Sequence, residues 1–295
     1  MSKSSSWQLD PGDEVVPGVK AEQRLGGGER YEAYLGWDES LFAPVVVKLV
    51  RPDLVADLST LKGLRREVET LARLAHPVVV RAFDCDVEGP RPHVVLEHLD
   101  GPRLSTLLRK FGPLSLEQAL PLGLEMCSAL HYLSVQETVH LDVKPSNIIM
   151  GSPPRLIDLS IARTTGEAAT LDHAVGTDSY MAPEQCDPPR TGHPGSPADI
   201  FGLGVTLFEA CSGQRPFEAG KHDERALPHE KWPQLVDDPM PLPRWVPDFV
   251  AKPIWACLER DPDRRPTAAE LADQLQPLVD ALPRPVLGGF RAKLR

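Results

Sequence analysis

A run near the middle of the chain places an acidic, a basic and an amide side chain within six residues. It reads His140-Leu141-Asp142-Val143-Lys144-Pro145-Ser146-Asn147. A carboxylate can accept the proton of a hydroxyl group, an ammonium can neutralise developing negative charge, and an amide oxygen can ligate a cation. A second carboxylate, Asp158, follows two apolar residues further along. Together these side chains are suited to acid–base catalysis beside a bound cation.

Two features upstream are ambiguous when each is taken alone. A triple glycine such as Gly26-Gly27-Gly28 more often marks a hairpin turn than a nucleotide-binding loop. Lys48 ends the apolar run Val45-Val46-Val47 and could extend its ammonium to solvent from the end of a strand. Glu67 lies 19 residues after Lys48 on a segment with helical periodicity, where a solvated surface charge is the alternative and Glu69 is a competing candidate.

Taken in order, these motifs resemble those of the protein kinase family. The central run resembles the catalytic loop H-R-D-L-K-P-x-N, and the glycine segment resembles G-x-G-x-x-G-x-V. Val45-Val46-Val47-Lys48 resembles V-A-I-K, Leu156-Ile157-Asp158-Leu159-Ser160 resembles the D-F-G element, and Ala182-Pro183-Glu184 matches A-P-E. The resemblance implies an ATP-dependent enzyme that transfers the γ-phosphoryl group to protein hydroxyls.

The resemblance also implies a role for each residue that surrounds the transferred group. Asp142 would accept the proton of the substrate hydroxyl, and Lys144 would neutralise charge on the phosphoryl group. Asn147 and Asp158 would ligate Mg²⁺, with Mn²⁺ as an alternative. His140 is interpreted as a packing and positioning residue rather than a base.

The nucleotide is expected to lie beneath the glycine segment. Lys48, paired with Glu67, would hold the α- and β-phosphates. Leu96 aligns with the gate residue of the family, and Glu97 and Leu99 align with the backbone partners of adenine. The residues implied in binding ATP are Leu25, Gly26, Gly27, Gly28, Ala33, Val46, Lys48, Glu67, Leu96, Glu97, Leu99, Ile149 and Asp158.

Further resemblances concern the scaffold and the class of acceptor. Asp199 aligns with the buried-helix aspartate that braces the catalytic loop, and Arg265 with the expected partner of Glu184. Lys144-Pro145, after the catalytic aspartate, and Thr177, which in the family bridges the equivalents of Asp142 and Lys144, indicate a Ser/Thr rather than a Tyr kinase. The overall texture is similar to bacterial members of the family.

Four positions depart from the family pattern, namely Tyr31, Leu141, Leu159 and Ser160. None of the four removes a group that binds phosphate, ligates metal or takes a proton. Ser160 predicts a less mobile metal-binding segment, because glycine would leave its backbone freer. In most Ser/Thr kinases an arginine at the position of Leu141 pairs with a phosphothreonine. The leucine therefore predicts activity without activation-loop phosphorylation, although Thr164, Thr165 and Thr170 remain candidates for self-phosphorylation.

Two alternatives of another class stay open. A pseudokinase would bind nucleotide or act as a scaffold without transfer, but it usually lacks the equivalent of Lys48, Asp142 or Asp158. A small-molecule kinase of related fold would not need the A-P-E segment or the equivalents of Asp199 and Arg265. Incubation with Mg²⁺ and labelled ATP, with and without a basic protein substrate, discriminates among the three.

Hydrophobic periodicity indicates the elements that must position these residues. Strand-like runs cover residues 19–50, 78–83 and 93–99, and helical periodicity covers 61–74, 114–133 and 267–282. Residues 198–211 are apolar nearly all round and predict a buried helix, whereas 213–247 predict loops. The expected fold is α+β and bilobal, with a small antiparallel β lobe carrying one main helix (15–100) and a larger, mainly helical lobe (101–282). Residues 1–14 are expected to be a flexible lead-in.

Composition restricts the partners and the location. The 295 residues carry a net charge of −10, which argues against nucleic acid as a partner. The five cysteines form no C-x-x-C pair, so a disulfide framework or a zinc site is not expected. No apolar run is long enough to span a membrane, and a cytoplasmic location with ATP and a Ser/Thr-bearing protein as partners is expected. The tail, 283–295, is basic, and many family members continue from such a segment into a membrane span.

Overall fold

Short apolar stretches in the first hundred residues form one antiparallel sheet. The computed structural model describes residues 5–282 apart from 222 and 224. The strands are β1 (Glu14–Val16), β2 (Val19–Gly27), β3 (Tyr31–Asp38), β4 (Ala43–Val50), β5 (Ala82–Asp86) and β6 (His93–Glu97), in the order β1-β2-β3-β4-β6-β5.

Alternation along β4 separates the two faces of this sheet. Val45, Val47 and Leu49 are fully buried in a small outer core, together with Tyr34 of β3. The residues between them point to the opposite face, because successive side chains of a strand alternate. Lys48 is therefore placed on the inner face, where β4 pairs it with Ala33 of β3 and Val94 of β6.

One long helix, α1 (Leu58–Arg73), crosses the inner side of the sheet. Asp57 is its N-cap, and its carboxylate accepts a 2.7 Å hydrogen bond from the backbone N–H of Thr60. Leu64 and Leu71 lie on the buried face of the helix. Glu67 is buried with them, so the periodicity that drives packing also directs this carboxylate inward.

The second lobe is built around a helix with almost no exposed face. Helix α7 (Ser196–Ser212) carries thirteen buried residues among its seventeen. Gly202 allows a close approach to the catalytic loop, since a Cβ there would lie 2.9 Å from the carbonyl oxygen of Val143. The other long helices are α2 (Leu104–Phe111), α3 (Leu116–Val135), α9 (Asp248–Cys257) and α10 (Ala268–Asp280).

Short elements complete this lobe and carry much of the site. The strands are β7 (Thr138–Val139), β8 (Ile148–Ile149), β9 (Arg155–Leu156) and β10 (Arg163–Thr164). The short helices are α4 (Thr165–Ala168), α5 (Pro183–Cys186), α6 (Pro188–Thr191) and α8 (Pro228–Lys231), and single 3₁₀ turns lie at Pro52–Leu54, Pro145–Asn147, Pro233–Leu235 and Pro262–Arg264.

The predicted α+β bilobal fold is confirmed, and three local expectations are corrected. Residues 78–80 do not belong to the sheet. They hydrogen-bond instead to Leu156 of β9, through Leu156 N–H to Val78 O (2.7 Å) and Val80 N–H to Leu156 O (3.0 Å). Helices α2 and α9 were not anticipated, because each is too short for periodicity alone to identify it.

The third correction concerns the lead-in. Residues 5–13 pack on the sheet rather than hanging free, with Trp7 and Leu9 against the outer core. The basic tail, 283–295, lies outside the described residues. Among the described residues no helix combines the length and apolarity needed to cross a bilayer.

Candidate active site

The predicted catalytic loop gathers its side chains around Asp142. The Asp142 carboxylate accepts hydrogen bonds from Lys144 Nζ (2.7 Å to Oδ2), Asn147 Nδ2 (2.9 Å to Oδ2) and the Thr177 hydroxyl (2.7 Å to Oδ1). Lys144 Nζ also donates to Thr177 Oγ1 at 2.5 Å. A threonine 35 residues further along the chain thereby connects the activation segment to the catalytic loop. Asp142 is held in one orientation, with a cation beside it.

Helix α7 supports the catalytic loop through Asp199. The two carboxylate oxygens of Asp199 accept hydrogen bonds from the backbone N–H groups of His140 and Leu141, each at 2.7 Å. These bonds stabilise an unusual backbone, because Leu141 has φ of 65° in the left-handed region. Burial raises the pKa of Asp199 to about 6, although His140 and the two backbone donors favour its charged form.

Three elements bring a charged cluster into the cleft between the lobes. Lys48 Nζ of β4 donates to both carboxylate oxygens of Glu67 at 2.8 Å and to Asp158 Oδ1 at 2.9 Å. Burial alone would lower the pKa of Lys48, but the two carboxylates outweigh it and hold that pKa above its usual value. Burial likewise opposes the charge of Asp158, yet Lys48 holds the pKa of this carboxyl well below its usual range. Lys48 and Asp158 are therefore ionised at neutral pH, whereas burial raises the pKa of the Glu67 carboxyl above its usual value.

The donor atoms of Asn147 and Asp158 fit a hard divalent cation. The Asn147 amide nitrogen donates to the carbonyl and the carboxylate of Asp142, both at 2.9 Å, so the amide oxygen is the atom left for a ligand. Asp158 engages its Oδ1 with Lys48. Pairing of β8 with β9 places the two residues at the same end of one hairpin, and Ile157 N–H donates to Asn147 O at 2.8 Å. One amide oxygen and one carboxylate suit Mg²⁺, which takes few protein ligands beside phosphate oxygens.

The residues expected around adenine lie on the strands that line the same cleft. Val46 pairs with Leu35 on one side and with Leu96 on the other, and Gly26 pairs with Ala33. The residues expected around adenine are mostly partly exposed, as a binding surface requires: Ala33, Val46, Leu96, Leu99 and Ile149. Leu25 is half exposed and Glu97 is buried. Leu96 and Leu99 contact the main core from this side, and Ile149 of β8 pairs with Arg155 of β9.

Glu97 uses its side chain within the protein rather than in the cleft. Its carboxylate accepts hydrogen bonds from Arg81 (Nη2, 3.0 Å) and Arg155 (Nη1, 3.0 Å). Its backbone N–H donates to Arg81 O at 2.9 Å. The side chain thus links β6 to β9 across the lobes and does not face a base, which agrees with the resemblance, since that implies a backbone contact for this residue.

The structure accommodates the departures at positions 31, 141 and 160. Ser160 needs no glycine-like backbone, because the left-handed residue of this segment is Asp158, with φ of 69°. The side chain of Leu141 is buried in the main core, so apolar packing fills the position where the family has an arginine. Tyr31 places its ring 4.7 Å from Lys48 Nζ, and its hydroxyl donates to Thr60 O at 3.2 Å.

Sequence reasoning missed two contributors to the site. Gln185, after the A-P-E motif, donates through Nε2 to Leu141 O and Val175 O, both at 2.8 Å, and so joins the catalytic loop to the activation segment. Arg51 donates through Nε to Gly28 O at 2.7 Å. A lone buried glutamine and an arginine after a strand carry no pattern that distinguishes them from surface residues.

These elements define a class of protein: a two-lobed domain whose cleft holds a hydrogen-bonded cluster of Lys48, Glu67 and Asp158 close to the braced catalytic loop. Residues 19–275 match the sequence model of the family described as "Protein kinase domain". The chain belongs to the protein kinase family.

Several curated relatives are similar over most of this chain. Serine/threonine-protein kinase PknB of Mycolicibacterium smegmatis is 32% identical over 265 residues, covering 85% of this chain and 41% of the relative. Serine/threonine-protein kinase PkaA of Streptomyces coelicolor is 34% identical over 246 residues, covering 81% and 44%. Probable serine/threonine-protein kinase PkwA of Thermomonospora curvata is 32% identical over 271 residues, covering 90% and 35%. The chain therefore spans less than half the length of these relatives.

Proposed function

We propose that this domain transfers the γ-phosphoryl group of ATP to serine or threonine hydroxyls of proteins. The observation that carries the proposal is the geometry at Asp142, whose carboxylate is bound by Lys144 and Thr177 while its side chain stays partly exposed, at 10%. The names of the relatives support the same reaction and the same class of acceptor.

The chain's own residues divide the work of the reaction. Asp142 orients the acceptor hydroxyl and accepts its proton as the new bond to phosphorus forms. Lys144 stabilises the negative charge on the transferred group. Thr177 is hydrogen-bonded to Asp142 and to Lys144 and fixes the orientation of both side chains. Lys48, held by Glu67, binds the α- and β-phosphates and leaves the γ-phosphoryl group in line with the acceptor.

The donor set described above fits Mg²⁺, and Mn²⁺ prefers the same oxygen ligands. Asn147 and Asp158 would hold the cation. When bound, the cation neutralises charge on the phosphate oxygens. Asp158 is suited to this because the ammonium of Lys48 keeps it ionised.

Two variants of equal shape test the division of roles. Asp142→Asn should nearly abolish transfer but leave nucleotide binding close to that of the parent, because the lost group acts on the hydroxyl. Asp158→Asn should weaken binding of the magnesium–nucleotide complex as well as turnover. Transfer to a basic protein substrate and calorimetric titration with a non-hydrolysable ATP analogue separate the two. Equal loss of binding in both variants would show that the roles are wrongly assigned, and binding without any transfer by the parent would favour a pseudokinase.

We further infer that the domain is active without phosphorylation of its activation loop. Leu141 leaves no guanidinium beside the catalytic aspartate, and it shares the main core with Ala168 and Leu171 of the activation segment. The carboxylate of Glu167 lies 3.8 Å from Arg66 Nε, so an acidic side chain already connects this segment to α1.

The test replaces all three candidate acceptors. The variant Thr164→Ala, Thr165→Ala, Thr170→Ala is treated with phosphatase, and its initial rate on an external substrate is compared with that of the parent. A rate within a few-fold of the parent is expected. A fall of about a hundredfold, roughly 2.7 kcal/mol in the barrier, would contradict the inference. Mass spectrometry of the parent after incubation with ATP reports whether the loop is self-phosphorylated.

A further inference from the structure

A buried polar cluster lies on the outer side of the sheet, directly behind the glycine-rich loop. The side chain of Glu32 on β3 is fully buried, and its Oε1 accepts a 2.8 Å hydrogen bond from Arg51 Nη1. Its Oε2 accepts from the hydroxyls of Tyr34 (2.9 Å) and Ser6 (3.1 Å). A buried carboxylate with this many partners is fixed in place, because losing any partner costs more than a surface contact would.

Arg51 connects this cluster to the loop. Its Nε donates to the carbonyl of Gly28 at 2.7 Å, and its guanidinium would lie 3.3 Å from a Cβ at Gly27. Its backbone N–H donates to the carbonyl of Arg30 at 3.0 Å. One side chain thus contacts two of the three consecutive glycines and binds the loop from the side opposite the cleft.

Residues 5–7 complete the environment of Arg51. The carbonyl of Ser5 accepts a 2.9 Å hydrogen bond from Arg51 Nη1. The indole N–H of Trp7 donates to the carbonyl of Val50 at 2.8 Å, and the Trp7 ring is held under the guanidinium of Arg91 at 4.9 Å. This segment satisfies a donor and an acceptor that the end of β4 would otherwise leave to solvent.

We propose that Arg51 is a positioning residue for the glycine-rich loop, and that residues 5–7 keep Arg51 in the position that favours nucleotide binding. The proposal rests on the proposed function, in which this loop covers the phosphates of ATP. A loop of three glycines has a large conformational entropy to lose, so a contact that orders it beforehand lowers the cost of binding nucleotide.

The experiment compares Arg51→Lys, Trp7→Ala and their combination. Arg51→Lys keeps a cation opposite the buried Glu32 but cannot donate to Gly28 and Ser5 together. We expect its KM for ATP to rise about fivefold with kcat within about twofold, because the loss falls on nucleotide binding rather than on transfer. Trp7→Ala should raise the KM for ATP about threefold. In the combined variant the KM should rise by less than the product of the two single increases, because both residues act through the same contact with the loop.

The matched control is Trp37→Ala. Trp37 lies on the same strand as Glu32, towards its opposite end, where its ring packs edge-on against Phe42 with centroids 5.3 Å apart. This variant should lower Tm without changing the KM for ATP. An unchanged KM for ATP in Arg51→Lys, strict additivity of the two variants, or an equal rise in KM for Trp37→Ala would overturn the proposal.

A second readout keeps the proposal separate from the proposed function. Hydrogen exchange of the loop amides at residues 26–31, measured without nucleotide, should be faster in Arg51→Lys than in the parent. If the parent bound no nucleotide, the proposed function would be wrong. The difference in hydrogen exchange between the parent and Arg51→Lys would still show whether Arg51 orders the loop through Gly28. Equal exchange in parent and variant would overturn the role of Arg51 whatever the activity.

Discussion

Two buried ion pairs in this domain have similar geometry and opposite access to ligand. Arg265 binds Glu184 through two hydrogen bonds of 2.6 and 2.9 Å, and their side chains are 0% and 1% exposed. Lys48 binds Glu67 through two contacts of 2.8 Å, but the lysine is 14% exposed, and its second partner, Asp158, is 38% exposed. One pair is sealed, whereas the other opens into the cleft.

The remaining contacts explain what each pair can do. Arg265 donates its other hydrogens to the carbonyls of Glu259, Pro197 and Arg260, so the whole guanidinium is used within the protein. The contact between Lys48 and Asp158 can be exchanged for ligands, because the Asp158 carboxylate can bind a cation and the Lys48 ammonium can bind a phosphate. The comparison shows that a buried, paired charge does not by itself indicate a functional residue. What distinguishes the pair in the cleft is a second partner, Asp158, whose side chain is partly exposed to solvent.

The largest expected effect breaks the sealed pair. Arg265→Met should lower the free energy of unfolding by about 3–5 kcal/mol, because Glu184 would be left buried without a counter-charge. Urea denaturation followed by circular dichroism measures the loss. The double variant Arg265→Met, Glu184→Leu should recover part of it, since no charge would then be buried. A double variant as unstable as the sum of the two single variants would contradict this account.

The second prediction concerns the open pair. Lys48→Met should reduce kcat/KM about a thousandfold, equivalent to about 4 kcal/mol, because the phosphates lose their ammonium. Its loss of stability should be smaller than that of Arg265→Met, since Glu67 can take up a proton from the cleft. Lys62→Met, an exposed position on α1, is the matched control and should leave kcat/KM unchanged. Equal losses of stability in Lys48→Met and Arg265→Met would remove the distinction between the two pairs.

The sequence allowed the catalytic loop to be predicted more completely than the rest of the site. Asp142, Lys144 and Asn147 lie within six residues, so their spacing alone brings them together, and in the structure Lys144 and Asn147 both donate to the Asp142 carboxylate. The pairing of Lys48 with Glu67 needed both the strand and the helix to be recognised. Periodicity identified the strand and the helix, but it left Glu69 as a competitor, and only the resemblance to the family favoured Glu67.

The contacts behind the glycine-rich loop could not be predicted in this way. Arg51 follows a strand, and Trp7 lies in a polar segment, so neither belongs to a periodic pattern. Their partners are 23 and 43 residues away, at distances set by how the strands pair rather than by local preference. Similarly, the polar composition of residues 1–14 indicated a free segment, whereas the outer face of the sheet required an apolar cover.

The third prediction uses Asp199, the buried carboxylate that braces the catalytic loop. Its pKa is about 6, above the usual value of 3.8, so the folded protein holds this proton at a pH where the unfolded chain has lost it. Stability from this group is therefore greatest below about pH 4 and falls as pH rises to about 6, by up to about 3 kcal/mol. The fall should be absent from Asp199→Asn, measured as the difference in unfolding free energy between the two proteins from pH 4 to 7. A constant difference would show that Asp199 keeps an ordinary pKa.

The smallest expected effect concerns what holds the open pair in place. Glu67 lies on α1, and Arg66 beside it faces Glu167 of the activation segment at 3.8 Å, so the carboxylate of Glu167 helps to fix the helix that carries Glu67. Glu167→Gln should lower kcat about fivefold, or about 1 kcal/mol, as expected when a partly exposed ion pair is lost.

Glu88→Gln is the matched control for this last variant, because Glu88 pairs with Arg65 of the same helix at 3.4 Å but belongs to the turn after β5, away from the activation segment. Glu88→Gln takes a carboxylate partner away from Arg65, as Glu167→Gln does from Arg66, but it should leave kcat unchanged. The sealed pair of Arg265 does not depend on α1. Neither variant should therefore change the free energy of unfolding, measured by urea denaturation, by more than about 0.5 kcal/mol, as for a surface substitution. If Glu88→Gln lowered kcat as much as Glu167→Gln, the effect would come from the net charge of α1. If Glu167→Gln had no effect, the open pair would be held by α1 and Tyr31 alone.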